Sequence, residues 1–172
     1  MTNVILLTGK PGVGKTTVIQ KVLDRSLRPA GGFYTQEVRQ GGIRQGFEIV
    51  TLDGQRAMLA QVGLRSRARV SKYGVNLAGL DEVGVSAIRQ AIAASKLVVI
   101  DEIGPMEIIS PLFRQAVLKA LDSPSPVLAT IVQRSMPFTD EIKSRPQVSL
   151  FEVLEVNRQL LPEKVLEMLI NT

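Results

Sequence analysis

The sequence predicts an α/β fold, a mainly parallel sheet flanked by helices on both faces, with an antiparallel β meander inserted after the first helix. Three observations carry this reading. Short, continuous apolar runs alternate with stretches of helical period, as strands buried beneath helices do. The run at residues 97–100 is apolar throughout and ends in Asp101-Glu102, which puts two acids at the carboxyl end of a covered strand. Two hairpin signals, Gly41-Gly42 and Asp53-Gly54, separate three β-rich segments.

In chain order, residues 3–8 read as a buried strand. Residues 15–27 follow as a helix, because Val18, Ile19, Val22, Leu23 and Leu27 share one face at the 3.6-residue period. Pro29, Gly31 and Gly32 are expected to end it. The meander then occupies residues 33–39, 43–52 and 57–62. Residues 63–76 read as loop with a short strand at Tyr73. The alternation resumes with a helix at 80–95, a strand at 97–100, a helix at 111–121 and a strand at 127–132. A short helix at 138–144, a strand at 148–154 and a helix beginning near Pro162, where proline suits a first turn, complete the chain. Residues 1–172 are expected to form one domain, since this length is typical of one and 45% hydrophobic content suffices for its core.

Composition narrows the chemistry. With no cysteine and no histidine the chain has neither disulfides nor the usual zinc, copper and haem ligands. Any metal must therefore be held by oxygen. The first apolar run is too short for a signal peptide or membrane span, so a cytoplasmic location and no membrane contact are expected. A net charge of +5 suits an anionic ligand and equally suits a nucleic acid or simple solubility. Aromatics make up 4% and tryptophan is absent, which leaves few stacking platforms for single-stranded nucleic acid.

The strongest signal is Gly9-Lys10-Pro11-Gly12-Val13-Gly14-Lys15-Thr16, followed by Thr17, which satisfies G-x-x-x-x-G-K-[ST] between an apolar strand and an amphipathic helix. The glycines let successive N–H groups curl inward around phosphate oxygens, and the helix N-terminus adds its partial positive charge. Lys15 is expected to reach the β- and γ-phosphates of a nucleoside triphosphate. The Thr16 hydroxyl is expected to ligate Mg²⁺.

The second signal is Asp101-Glu102. Ligands of open α/β sheets bind at the carboxyl edge, so Asp101 is expected to hold the metal as a Walker-B carboxylate and Glu102 to direct the attacking water. A solvated acidic turn is the alternative. Asp101-Glu102-Ile103-Gly104 also fits the D-x-x-G of guanine-nucleotide switches, yet no N-K-x-D guanine reader occurs. Weak base preference is therefore expected. A kinase with a nucleotide or small-molecule acceptor, and a nucleic-acid-associated NTPase, are the competing functional readings.

The sequence closely resembles the cancer-related, or thermophilic, nucleoside-triphosphatase family of P-loop proteins. The resemblance rests on GKPGVGKTT at 9–17, GGFYTQEVRQGG at 31–42, GFEIVTLDG at 46–54, VVIDEIGPME at 98–107 and NRQLLP at 157–162. It implies hydrolysis of several nucleoside triphosphates to diphosphate and phosphate, with the family's Walker-A residues falling on residues 9–17 and its acidic pair on Asp101 and Glu102. Beyond these, Arg134 is a candidate cis arginine finger, and Gln133 or Thr130 a candidate γ-phosphate sensor. Glu37 and Arg39 either line the cleft or pair structurally. Arg65, Arg67, Arg69 and Lys72 either grip phosphates or an acidic partner or form a solvated loop. Asn157 either touches the base or serves as a helix N-cap.

Overall fold

Among the residues the computed structural model describes, 3–172, the first apolar run forms β1 (Val4–Thr8). Its side chains alternate between two cores, Val4 and Leu6 on one face of the sheet and Ile5 and Leu7 on the other. This is why the run is apolar throughout and not alternating. Helix α1 (Lys15–Arg25) buries Val18, Ile19 and Val22 against the second face. It stops two residues before the expected end, and Leu27 is fully exposed.

The next strand, β2 (Ala30–Gln40), begins three residues earlier than expected, and the reason is physical. Gly31 and Gly32 lie inside the strand and do not break it. A Cβ on Gly32, whose φ is +110°, would sit 2.0 Å from the Val99 carbonyl oxygen, and one on Gly31 would meet Ala91 at 2.9 Å. The glycines are there because backbone and helix approach too closely for a side chain. They allow Ala30 to Phe33 to pair in parallel with β7 (Leu97–Ile103). The meander is thus grown from the far half of a parallel strand. It continues through β3 (Ile43–Thr51), β4 (Arg56–Val62), β5 (Arg69–Val70) and β6 (Tyr73–Val75), all antiparallel.

The following helical stretch begins at α2 (Leu77–Gly79), capped by the Asn76 side chain, which accepts from the Gly79 amide at 3.1 Å. It passes through a π-helical turn (Leu80–Val85) into α3 (Ser86–Ala93). Gly84 in the π turn faces the Phe33 ring, where an added Cβ would come within 3.4 Å. A 3₁₀ turn (Glu107–Ile109), α4 (Pro111–Asp122), β8 (Val127–Ile131), α5 (Pro137–Lys143), β9 (Val148–Glu152) and α6 (Leu161–Ile170) complete the chain. Prolines stand at the first turns of α4, α5 and α6, where a missing N–H costs no hydrogen bond.

The nine strands form one sheet in the order β5-β6-β4-β3-β2-β7-β8-β1-β9. β2, β7, β8, β1 and β9 are mutually parallel, and the meander extends the sheet beyond β2. The larger core lies under the face that includes Phe33, Ile88 and Phe113, and the smaller under α1 and α6. Phe33 and Phe113 meet with ring centroids 6.4 Å apart. No helix among the described residues is long and apolar enough to cross a membrane.

Candidate active site

The cradle is built by backbone conformation. Gly9, Gly12 and Gly14 take φ of 148°, 76° and 109°, values that side chains rarely adopt. A Cβ on Gly9 would also press to 2.8 Å of the Val153 carbonyl. Gly14 is the residue from which α1 starts. The Lys15 ammonium donates to the carbonyls of Gly9 (3.0 Å) and Lys10 (3.1 Å), bridging the opening of the loop. The Val13 amide closes the turn onto the Lys10 carbonyl at 3.2 Å.

Asp101 and Glu102 lie inside β7, which runs three residues past the apolar stretch to Ile103. Pairing with β8 slips between Ile100 and Ile103, and the Asp101–Glu102 peptide is cis. The two acids diverge. Asp101, 2% exposed, accepts the Thr16 hydroxyl at 2.7 Å on one carboxylate oxygen and the Thr130 hydroxyl at 2.5 Å on the other. The cradle, β7 and β8 are thereby joined through one carboxylate. Burial pushes the Asp101 carboxyl above its usual value, against the two hydroxyl donors and the Lys15 charge, which favour the anion.

Glu102 leans over Gly104, where an added Cβ would lie 2.5 Å from its Oε1. Its carboxyl is also raised, chiefly by burial; Lys15 opposes the shift and the Asp101 charge adds to it. Beneath the pair sits a residue that sequence reasoning missed as a site residue. Glu107, in the 3₁₀ turn, is 5% exposed, and its Oε2 would lie 3.1 Å from the same Gly104 Cβ. Burial first, then the Glu102 charge, holds its carboxyl well above the ordinary range; the backbone amides of Glu107 and Gly104 pull the other way. Its sequence signals are its place at the end of the resemblance segment 98–107 and of a run of turn residues, and neither by itself reveals burial.

The remaining candidates are placed as follows. Thr130 is fully buried and its hydroxyl is committed to Asp101, which makes it a support of that carboxylate. Gln133 donates to Glu152 at 2.9 Å on the loop after β8. Arg134 is exposed on the same loop. Asn157 braces the loop after β9, donating to the Glu152 carbonyl (2.9 Å) and accepting the Leu154 amide (2.8 Å). Glu37 is ion-paired to Arg39 and Arg44, which lowers its pKa, and Arg44 also lies over the Phe47 ring at 5.1 Å. That group stands on the β2–β3 hairpin, four to six residues past the last β2–β7 pair and so roughly 13–20 Å of strand beyond it. Arg65, Arg67, Arg69 and Lys72 are exposed at the β5–β6 edge, on the order of 30 Å of sheet from β1.

An oxygen-only site for a small hard cation is consistent with these donors. Thr16 and Asp101 present a hydroxyl and a carboxylate side by side. Among the described residues no cluster of three or more acidic, histidine or cysteine side chains forms a cage. Mg²⁺ is commonly bound in this way, through one or two protein oxygens with substrate phosphates and water supplying the rest.

Comparison with known proteins finds relatives over nearly the whole chain. The chain is 50% identical over 165 residues to the nucleoside-triphosphatase THEP1 of Thermotoga maritima, covering 96% of this chain and 94% of that protein. It is 44% identical over 178 residues to the cancer-related nucleoside-triphosphatase of Homo sapiens, covering 94% of each. The crystal structure of THEP1 from the hyperthermophile Aquifex aeolicus superposes with a TM-score of 0.86 at 36% identity, over 96% of this chain and 98% of that one. The NTPase family model matches residues 4–166, a span that takes in the cradle, the acidic pair and most of the last helix. The resemblance read from the motifs therefore holds over the fold as a whole, and the chain belongs to the nucleoside-triphosphatase family of P-loop proteins.

Proposed function

We propose that this chain hydrolyses nucleoside triphosphates in a Mg²⁺-dependent reaction, with weak preference among bases, as a cytoplasmic enzyme. The observation that carries the reading is the hydrogen-bonded link Thr16–Asp101–Thr130, which fixes a carboxylate against the cradle with Glu102 as its chain neighbour.

In this reading the backbone N–H groups of residues 9–17, Pro11 excepted, bind the phosphates. Lys15 exchanges its carbonyl partners Gly9 and Lys10 for β- and γ-phosphate oxygens. Thr16 and Asp101 hold the metal, and Thr130 orients Asp101. When bound, Mg²⁺ supplies positive charge to the β- and γ-oxygens as negative charge develops on them. Glu102 accepts a proton from, or orients, the attacking water. Burial raises its basicity toward working pH, which strengthens that role. Arg134, exposed on its loop, is assigned as a cis finger that meets the γ-phosphate. Base tolerance follows because the fixed contacts are to phosphate.

Glu102→Gln is the test. It keeps size and shape while removing charge, so Mg²⁺-NTP affinity by calorimetry stays level while single-turnover phosphate release falls by roughly 10²- to 10⁴-fold. Loss of both together would assign Glu102 to the metal site or the fold. Retained turnover would remove it from the chemistry.

A further inference from the structure

Beside the cradle, a cavity of about 170 Å³ is lined by Gly14, Thr17, Val18, Lys21, Arg158 and Gln159. The first four recur at helical spacing and form one stripe of the first turns of α1. Gly14 and Thr17 belong to the cradle as well. A nucleotide with its phosphates in the loop thus has its other end within reach of this hollow. Its volume is below the ~300 Å³ at which pockets begin to enclose a whole drug-sized ligand, so it suits a part of a nucleotide.

Arg158 is held in place from two sides. Its Nη1 donates to the Val13 carbonyl at 3.2 Å, and its Cδ lies 3.7 Å from the position of a Cβ on Gly14. Its own amide donates to the Leu154 carbonyl at 2.9 Å, within the loop that Asn157 braces. None of the ion pairs among the described residues includes it. A planar, uncompensated guanidinium is therefore fixed at the mouth of a hollow that adjoins an anion cradle.

We propose that this cavity seats the nucleobase, with the Arg158 guanidinium lying against the flat face of the base. This rests on the reading that the cradle takes the phosphates. Guanidinium planes stack on any π-face, in a chain with no tryptophan to do so. The lining contains no carboxylate to accept from guanine. Its one amide, Gln159, has its carbonyl oxygen occupied by the Lys21 ammonium at 2.9 Å. In this pose the base is held chiefly by its face, a contact open to all four bases, which makes Arg158 the residue that adds base affinity without selecting among bases.

Calorimetry in Mg²⁺ with β,γ-imido analogues of ATP, GTP, CTP and UTP, and with inorganic tripolyphosphate, tests this. Arg158→Ala weakens all four analogues by about tenfold, the scale of one stacking contact, and leaves tripolyphosphate within about twofold. Arg158→Lys keeps charge and loses the plane, so it shows most of the same loss; circular dichroism checks the fold of each. Equal loss for tripolyphosphate would overturn the proposal and make Arg158 a phosphate ligand or a support of the cradle through Val13. No loss for any analogue, or loss confined to one base, would overturn it too. Lys15→Ala, in parallel, must lose tripolyphosphate and analogues alike. If it loses neither, the cradle reading fails by itself, whatever Arg158 does.

Discussion

Glu107→Gln exchanges the buried acid under Glu102 for a neutral side chain of the same shape, and its effect on stability is set by sign and slope. Burial and the nearby Glu102 and Asp101 charges raise the folded-state pKa well above the reference 4.5, while the Glu107 and Gly104 amides offset part of the shift. Between 4.5 and the folded value, the folded protein keeps a proton that the unfolded chain has released. The contribution is full below 4.5 and is lost as pH rises, at up to about 1.4 kcal/mol per pH unit, then levels off above the folded pKa. Gln carries no such proton. The stability of the variant relative to wild type should therefore start near zero at about pH 5 and climb at that slope. In a domain of this size that is roughly 3–6 °C in Tm per pH unit. Asp101 and Glu102 are raised in both proteins, so the difference isolates Glu107. Thermal unfolding without nucleotide, at fixed ionic strength from pH 5 to 8, measures it. Parallel curves, or a variant that loses ground as pH rises, would show that Glu107 is ionised in the folded protein and would refute the argument.

Other substitutions separate the parts of the site. Lys15→Ala should abolish or greatly weaken NTP binding, because it removes the cation bridging the mouth of the cradle; unchanged affinity by calorimetry would count against the cradle. Arg134→Ala should slow hydrolysis with NTP affinity nearly level, since a finger meets charge that develops in the transition state, and wild-type turnover would return Arg134 to the surface. Across a panel of NTPs, discrimination in phosphate release should stay below about a hundredfold, roughly 2.7 kcal/mol, and a larger ratio would require an edge-reading contact.

The sequence shows those features whose physics is local. The cradle is one continuous segment between a strand and a helix, and the acid pair closes an apolar run, so both can be read without knowing what lies beside them. Non-local features escape. Gly31-Gly32 reads as a break because nothing nearby in sequence reveals that Val99 and Ala91 will press against it. Thr130 looks like a sensor until Asp101, 29 residues away, takes its hydroxyl. Glu107 looks solvated until β7 and the 3₁₀ turn enclose it. Arg158 stands 145 residues from Val13, and no sequence period connects them. What stays hidden is the environment of a side chain, and burial, which governs all three raised acids, is entirely of that kind.

Strand order turns these distant residues into one site. From β9 through β1 and β8 to β7, the carboxyl edge carries in turn the loop of Arg158, the cradle, the loop of Arg134 after Thr130, and Asp101 with Glu102. Three strand steps of about 4.8 Å place the ends of this row roughly 14 Å apart. The chain meets the same parts in a different order, with the cradle first and Arg158 last. β1 is inserted between β8 and β9, strands formed more than a hundred residues later, and register with both is fixed at Leu7, by Thr130 on one side and Phe151 on the other. The loop leaving β1 thus departs from a strand clamped on both edges, which suits a cradle whose amides must hold their aim before the phosphates arrive. In the proposed pose the base lies toward β9 and the γ-phosphate toward β7. The residues proposed to accept any base are then kept apart from Glu102, the residue proposed to direct water. Tolerance at one end of the edge and selectivity for water at the other can coexist because no side chain serves both.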